Sequence, residues 1–354
     1  MKITIAAGGT GGHIYPGIAI AEEFLARDEN NQVLFLTSRY GLGKKIIEKE
    51  GYPVKLISAR GIIRKLSIKA FLAPFFSLIG FFQSIFYVLK FKPDLVVLMG
   101  GYVSFPVAFA AKLLGTKTVL HEQNVLPGIV SRILSKFVTV VILSFHESLK
   151  YIKNGIVLGN PVRCRILKIK KGKSDIKRIL IMGGSQGAWG MNSFIIENLD
   201  KFFFENIKIT HLIGERDFEY FKDKISFEKY PFYNPLSYMY NVEEGLSKTD
   251  LVISRAGATA IAEFLVVGIP SILIPFPNSA EGHQDKNAEV LANKNAAVVL
   301  DEKNISQLPK ILLELISDDK KLGQMVKSAI SAANPAAADN IVDLIYETAG
   351  NKEI

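Results

Sequence analysis

The sequence predicts an α/β protein of two domains, each a doubly wound parallel sheet. A short apolar strand, a glycine-rich turn and an amphipathic helix occur twice, as Ile3-Thr4-Ile5-Ala6-Ala7-Gly8-Gly9-Thr10-Gly11-Gly12-His13 and as Ile179-Leu180-Ile181-Met182-Gly183-Gly184-Ser185-Gln186-Gly187. Strand-like and helical patterns alternate after both copies, as parallel strands joined by crossover helices require. The 354 residues exceed what one core usually holds, and 49% hydrophobic content is enough to fill two. Each glycine turn can offer backbone N–H groups to a phosphate at a helix N-terminus. The two turns are therefore expected to face one cleft, with a nucleotide on one side and an acceptor on the other.

In the first half, strands are expected at 3–7, 33–37, 95–99, 118–121 and 138–143, with helical patterns such as 18–27 between them. Gly159-Asn160-Pro161-Val162-Arg163 interrupts the alternation, because Asn-Pro favours a turn, and divides the chain into domains 1–161 and 162–335. The basic stretch 168–178 reads as a solvated linker. Strands follow at 178–182, 209–212, 251–254, 271–275 and 297–300. Asn334-Pro335 then breaks a helical region, and the tail 336–354, amphipathic over 336–346, is expected to pack back on the first domain.

Bulk properties narrow the partners without choosing among them. An excess of 43 Lys+Arg over 34 Asp+Glu, net +9, favours nucleic acid, an acidic membrane surface or phosphorylated substrates. The one cysteine, Cys164, excludes an internal disulfide or a cysteine-built zinc site and reads as a small buried apolar residue. No signal-peptide pattern precedes the first strand, so a cytosolic location is expected. The charge-free run 70–89 is long enough to cross a bilayer but contains Pro74, Gly80 and Gln83 and lies inside the α/β alternation. With Arg64, Lys65, Lys69, Lys90 and Lys92 at its ends, it is expected to lie on an anionic leaflet. Plain core helices and a true span are the alternatives.

The glycine turns exclude the commonest nucleotide motifs. Ile14 stands where a dinucleotide fingerprint requires its last glycine, and Thr37-Ser38-Arg39 lacks the carboxylate that grips an NAD ribose. No Gly-Lys-Ser/Thr completes a P-loop. The glycine density at 8–12 implies that a bulky group approaches the backbone closely. His13, in that turn, can be a general base, a donor to phosphate or a capping residue.

Ser254-Arg255-Ala256-Gly257 follows a strand and puts Ala258 and Thr259 at a helix N-terminus suited to a pyrophosphate. Glu263, about one turn on, can accept hydrogen bonds from two ribose hydroxyls. Gln284 and Asn287 can read sugar hydroxyls. Gly100-Gly101-Tyr102-Val103-Ser104 and His121-Glu122-Gln123-Asn124 each follow a strand; His121, Glu122 and Asn124 supply an acid/base pair and an amide, or a buried structural pair. No His/Asp/Glu spacing resembles a metal cage, so neither metal nor cofactor is expected.

Six of these segments stand in order over nearly the whole chain: Gly8-Gly9-Thr10-Gly11-Gly12-His13-Ile14-Tyr15-Pro16, Gly100-Gly101-Tyr102-Val103-Ser104, His121-Glu122-Gln123-Asn124, Gly159-Asn160-Pro161-Val162-Arg163, Gly183-Gly184-Ser185-Gln186-Gly187 and Ser254-Arg255-Ala256-Gly257-Ala258. Together they resemble the peptidoglycan N-acetylglucosaminyltransferases of glycosyltransferase family 28. The resemblance implies the GT-B fold, two Rossmann-like domains facing a central cleft, with a UDP-sugar held mainly by the C-terminal one. It implies donor contacts from Thr10, Gly11, Gly12, Asn124, Arg163, Ser185, Ala258, Thr259, Ala260, Ile261, Ala262, Glu263 and Gln284. Uracil is expected near Met239, where Tyr238-Met239-Tyr240-Asn241-Val242 departs from the family's Ile-Asp-Asp-Met run. The family's membrane patch maps to 62–89.

The implied reaction is inverting: the C4 hydroxyl of the N-acetylmuramoyl group of lipid I attacks the anomeric carbon of UDP-N-acetylglucosamine, and UDP leaves. His13 is the first choice as base, and Glu122, with His121 as partner, the second. N–H groups at Ser185 and Ala258 and the Arg163 charge offset the leaving group with no metal required. The expected partners are UDP-N-acetylglucosamine, an undecaprenyl-linked acceptor and the anionic cytoplasmic face of the inner membrane, with no nucleic acid. A UDP-N-acetylglucosamine 2-epimerase, which needs further carboxylates, and a non-catalytic nucleotide-sugar-binding membrane scaffold, which needs no base, are the alternatives.

Overall fold

A computed structural model describes residues 1–61, 68–170, 177–184, 188–225, 229–239 and 241–350, with the backbone alone over 68–74. The chain forms two compact units: Met1–Cys164 with Asn334–Ile354, and Arg165–Ala333.

The first unit holds β1 (Lys2–Ala6), β2 (Gln32–Ser38), β3 (Val54–Ile57), β4 (Leu95–Leu98), β5 (Lys117–Glu122), β6 (Val140–Leu143) and β7 (Ile156–Val157). All pair in parallel, in the order β3-β2-β1-β4-β5-β6-β7, with Ile3 opposite both Val33 and Leu95. Helices cover both faces, so central strands such as Leu95-Val96-Val97-Leu98 are fully buried and read as unbroken apolar runs. Ile3 and Ile5 pack one face with Ile18, Phe24 and Phe35. Ala6 and Leu36 pack the other with Leu98, Val107 and Leu120. Each fully buried Ile or Leu contributes about 1.5–3 kcal/mol by leaving water.

The closing helix Ala337–Ala349 belongs to this unit. Its Ile341, Val342 and Ile345 enter the first core, and Arg27 at the end of the helix Gly11–Arg27 meets Asp339 and, at 3.0 Å, Asp343.

The second unit holds β8 (Lys177–Met182), β9 (Ile207–Leu212), β10 (Tyr233–Leu236), β11 (Leu251–Ser254), β12 (Ser271–Leu273) and β13 (Ala297–Val299). They too are parallel, in the order β10-β9-β8-β11-β12-β13. Both sheets thus run outward from their first strand and reverse between first and fourth, which makes a switch point between β1 and β4 and another between β8 and β11.

Three strands lie outside the expected set: β3, β7 and β10. Each is at a sheet edge, where one side goes unpaired and the apolar signal is weak. Cys164 also departs from expectation. It is exposed, because it opens the four-residue helix Cys164–Leu167 at the end of the first unit, with its N–H donating to Glu22 Oε2 at 2.8 Å.

The run 70–89 lies within one helix, Ile68–Phe91, whose Gly80 abuts the Ser58 carbonyl so closely that a Cβ would collide. Gln83 accepts from the Ser58 N–H at 2.7 Å, fastening the inward face. Phe75, Leu78, Phe82, Phe86 and Leu89 form an exposed row at helical spacing. Phe76 instead packs under the Arg60 guanidinium, 4.4 Å from its ring. Among the described residues no helix is long and apolar enough to cross a membrane. Arg64 and Lys65 lie outside the described residues.

Candidate functional site

In the first unit, the loops at the carboxyl ends of β1, β4, β5 and β7 carry the candidate residues. After β1 the chain turns through Gly8 and Gly9 (φ +92°) to Thr10, the extended N-cap of the helix Gly11–Arg27, which no side chain caps. The glycine density has an internal cause. A Cβ on Gly8 would lie 2.5 Å from Val103 Cγ2 and one on Gly9 3.2 Å from the Tyr102 ring. The bulky groups that approach this turn therefore include the protein's own side chains.

His13 stands at the β1/β4 switch point, half-buried. Gly100 (φ +77°) and Gly101 (φ +67°) make room for its ring, since a Cβ at Gly101 would lie 3.2 Å from Nε2. His13 Nδ1 lies 2.8 Å from Gln123 Oε1, and Nε2 has no hydrogen-bond partner among the described residues. Gln123 Nε2 lies 2.9 Å from His121 Nδ1, and His121 Nε2 lies 3.0 Å from the Gly159 carbonyl. Burial, helped by nearby His13, pushes the His121 imidazole down to about 4, so it is neutral at physiological pH.

Glu122 is placed differently from expectation. It is buried, and its oxygens accept from the Asn124 N–H (2.9 Å), the Asn124 side chain (3.2 Å) and the Gly128 N–H (3.3 Å). These bonds fold the loop 122–128 around a buried carboxylate, so the structure gives Glu122 a loop-organising part and does not pair it with His121. His121 pairs with Gln123 instead of Glu122. Strand alternation carried that signal, because period two puts His121 and Gln123 on one side and Glu122 on the other. Asn124 is thereby fixed against Glu122. Arg163 is buried, with its guanidinium 4.3 Å over the Tyr15 ring, beside Gly11. Both amide atoms of Asn160 are buried with no hydrogen-bond partner among the described residues, a state that a ligand or water commonly relieves.

In the second unit, Ser185 lies outside the described residues, as do Gln186 and Gly187. Gly184 (φ +89°), before them, follows β8, and a Cβ there would meet nothing within 4 Å. Across the switch point, Gly257 is the extended N-cap of the helix Ala258–Val267, again without a side-chain cap. Arg255 stitches neighbouring loops together: its guanidinium donates to the carbonyls of Ile274 (3.2 Å) and Pro275 (3.3 Å) and to Glu302 (3.0 Å).

Along that helix Thr259, Ala260 and Ala262 are half-buried, whereas Ile261 is fully buried, so its side chain serves the core. Glu263 is buried as well. Gln284 Oε1 accepts from the Phe276 N–H at 2.9 Å. Asn287 is fully buried and donates to the Ala256 carbonyl at 3.1 Å, so it braces the loop before Ala258 and is out of reach of a sugar hydroxyl. Met239 packs on Gly245, in the helix Val242–Ser247. Among the described residues no three His, Cys, Asp or Glu side chains cluster to hold a metal.

Residues 3–143 match the glycosyltransferase family 28 N-terminal domain and residues 178–341 the glycosyltransferase family 28 C-terminal domain. A curated relative from Desulforamulus reducens, named UDP-N-acetylglucosamine--N-acetylmuramyl-(pentapeptide) pyrophosphoryl-undecaprenol N-acetylglucosamine transferase, is 37% identical over 98% of each chain. The crystal structure of Acinetobacter baumannii MurG superposes with a TM-score of 0.76 at 28% identity, covering 98% of this chain and 99% of that one. A UDP-GlcNAc 2-epimerase from Neisseria meningitidis shares the fold, with a TM-score of 0.69 at 13% identity over 98% of this chain and 100% of that one.

Proposed function

The chain belongs to glycosyltransferase family 28, and from that premise we propose that it transfers N-acetylglucosamine from UDP-N-acetylglucosamine to the C4 hydroxyl of undecaprenyl-diphospho-N-acetylmuramoyl-pentapeptide, forming lipid II for peptidoglycan. The observation that carries the reading is the near full-length likeness to a transferase of that name. An imidazole with an unengaged Nε2 at a switch point agrees with it.

The second unit binds the donor. The start of the helix at Ala258, with Thr259 and Ala260, and Ser185 hold the diphosphate, where the helix dipole favours negative charge. Glu263 takes the ribose hydroxyls, Ala262 lies one turn on from Ala258 and Thr259, Gln284 takes the sugar, and uracil meets backbone near Met239. The first unit binds the acceptor, its turn 8–13 facing the acceptor's diphosphate, while Thr10, Gly11, Gly12, Asn124 and Arg163 add the further donor contacts that the family resemblance implies. His13 Nε2 removes the proton from the C4 hydroxyl as its oxygen bonds to the anomeric carbon. The bond from that carbon to UDP breaks with inversion, and UDP departs with the electron pair while His13 holds the proton. General-base assistance of this kind contributes on the order of a hundredfold to ten-thousandfold in rate.

The exposed row Phe75, Phe82 and Phe86 docks on the cytoplasmic face of the inner membrane, where the acceptor's lipid resides. Through lipid II the enzyme serves cell-wall growth, and with it cell shape and division. Incubating the purified protein with labelled UDP-N-acetylglucosamine and a lipid I analogue tests the reading. Disaccharide-lipid is the expected product. Conversion of the donor to the manno sugar would make the protein an epimerase, and binding without turnover would make it a scaffold.

A further inference from the structure

We propose that Gln123 and His121 are positioning residues that hold His13 in its Nδ1–H tautomer and so keep Nε2 as the proton acceptor. The inference rests on the reading of His13 as base.

Two backbone carbonyls determine every proton in the relay. The first is that of Gly159, whose positive φ (+89°) is packed against Asn334. A carbonyl only accepts, so the His121 nitrogen 3.0 Å from it, Nε2, carries a hydrogen. The Ser144 oxygen, 3.5 Å from the same nitrogen, has its own proton committed to the Glu122 carbonyl at 2.9 Å and agrees with that assignment. His121 is buried and neutral, so its Nδ1 bears the lone pair.

The second carbonyl is that of His121 itself. It lies 3.0 Å from one end of the Gln123 amide, which must therefore be the NH₂ end. The same NH₂ reaches His121 Nδ1 at 2.9 Å, the lone pair already deduced. The other end of the amide, Oε1, accepts only and lies 2.8 Å from His13 Nδ1, which consequently carries the hydrogen. In the neutral ring the lone pair then lies on Nε2, at the half-exposed edge beside Gly101. Reversing the amide would set two oxygens together at the His121 carbonyl and leave His13 protonated on the nitrogen that must act. Dependence of a base on an orienting partner in this manner is the general logic of catalytic triads.

Selective ¹⁵N-histidine spectra of the full-length protein, with His13 assigned by the signal lost in His13→Gln, test the relay. The wild type is expected to show protonated Nδ1 and bare Nε2 at His13; the opposite tautomer overturns the proposal without any variant. In Gln123→Met, which keeps the length of the side chain and removes the amide, His13 is expected to become a mixture of tautomers. Its kcat should fall on the order of tenfold to a hundredfold, as losses of orienting partners do, with KM for UDP-N-acetylglucosamine unchanged. An undisturbed Nδ1–H form in that variant overturns the relay. A disturbed tautomer with wild-type kcat in both Gln123→Met and His13→Ala upholds the relay and overturns the assignment of His13 as base.

Discussion

Each unit buries a histidine in a chain of amide and imidazole hydrogen bonds, and the two chains end differently. In the second unit the Tyr233 hydroxyl meets His211 Nδ1 at 2.8 Å, and His211 Nε2 meets Asn192 Oδ1 at 3.0 Å. The Asn192 NH₂ then donates to the Ile213 carbonyl (2.9 Å) and to Asp217 (3.0 Å). Tyr233, His211, Asn192 and Asp217 are all buried, and this chain reaches the surface only through the ion pair of Asp217 with the exposed Arg216 at 2.7 Å. The chain of the first unit opens at His13, which is half-exposed with a bare Nε2. The same parts thus end in a committed ion pair in one unit and in an imidazole nitrogen open to a ligand in the other.

The comparison breaks most sharply at His13. His13→Ala is expected to lower kcat on the order of a hundredfold to ten-thousandfold with little change in donor KM. Unchanged kcat removes His13 from the chemistry and erases the functional difference between the two chains.

Asn192→Ala should do the reverse. It strands the Ile213 carbonyl and a His211 N–H in the interior and takes one donor from the Asp217 carboxylate, which keeps Arg216 at 2.7 Å, at a cost of about 3 kcal/mol in stability, while turnover per folded molecule changes little. Thermal melting and steady-state assays on the same preparation separate the two effects. A stable but slow variant would mean that the chain of the second unit serves catalysis.

Acid should weaken both chains together. Burial holds His121 near 4 and His211 near 3, against 6.5 in an exposed histidine. The unfolded chain therefore binds protons near pH 6.5 that the folded one refuses. The stability these neutral rings support is whole above about pH 6.5 and declines as pH falls toward 4, with a slope approaching 1.4 kcal/mol per pH unit for each histidine. Urea midpoints between pH 7 and 5 measure it, and His211→Asn should make the decline shallower. A flat profile would show that the rings accept protons in the fold.

The surface extends the comparison at the smallest cost to chemistry. The outward row on the helix Ile68–Phe91 belongs to the first unit, so Phe75→Ser, Phe82→Ser and Phe86→Ser together should release the protein from anionic vesicles yet spare turnover on a soluble acceptor. Retained vesicle binding would place the membrane contact elsewhere.

Central strands were readable because burial on both faces makes them continuous apolar runs, as Leu95-Val96-Val97-Leu98 illustrates. The edge strands were not. β7 is two exposed residues, and β10 contains Pro235, whose missing N–H is tolerable only where no neighbour lies beyond. The candidate site divides along a similar line. His13 declares itself by its glycine-rich turn. Glu122, in contrast, looks in the sequence like the partner of His121, and the structure turns it instead to the N–H groups of Asn124 and Gly128, whose loop it fastens.

The sequence by itself determined two parallel α/β units, the glycine turns at their switch points, and a family, since hydrophobic period and glycine spacing are local properties of the chain. Only the tertiary structure decided which neighbours orient His13, why Gly8 and Gly9 have no side chains, and which phenylalanines face outward. Those answers depend on the Gly159 carbonyl, the Tyr102 ring and the Ser58 backbone, groups brought from distant positions in the chain by strand order.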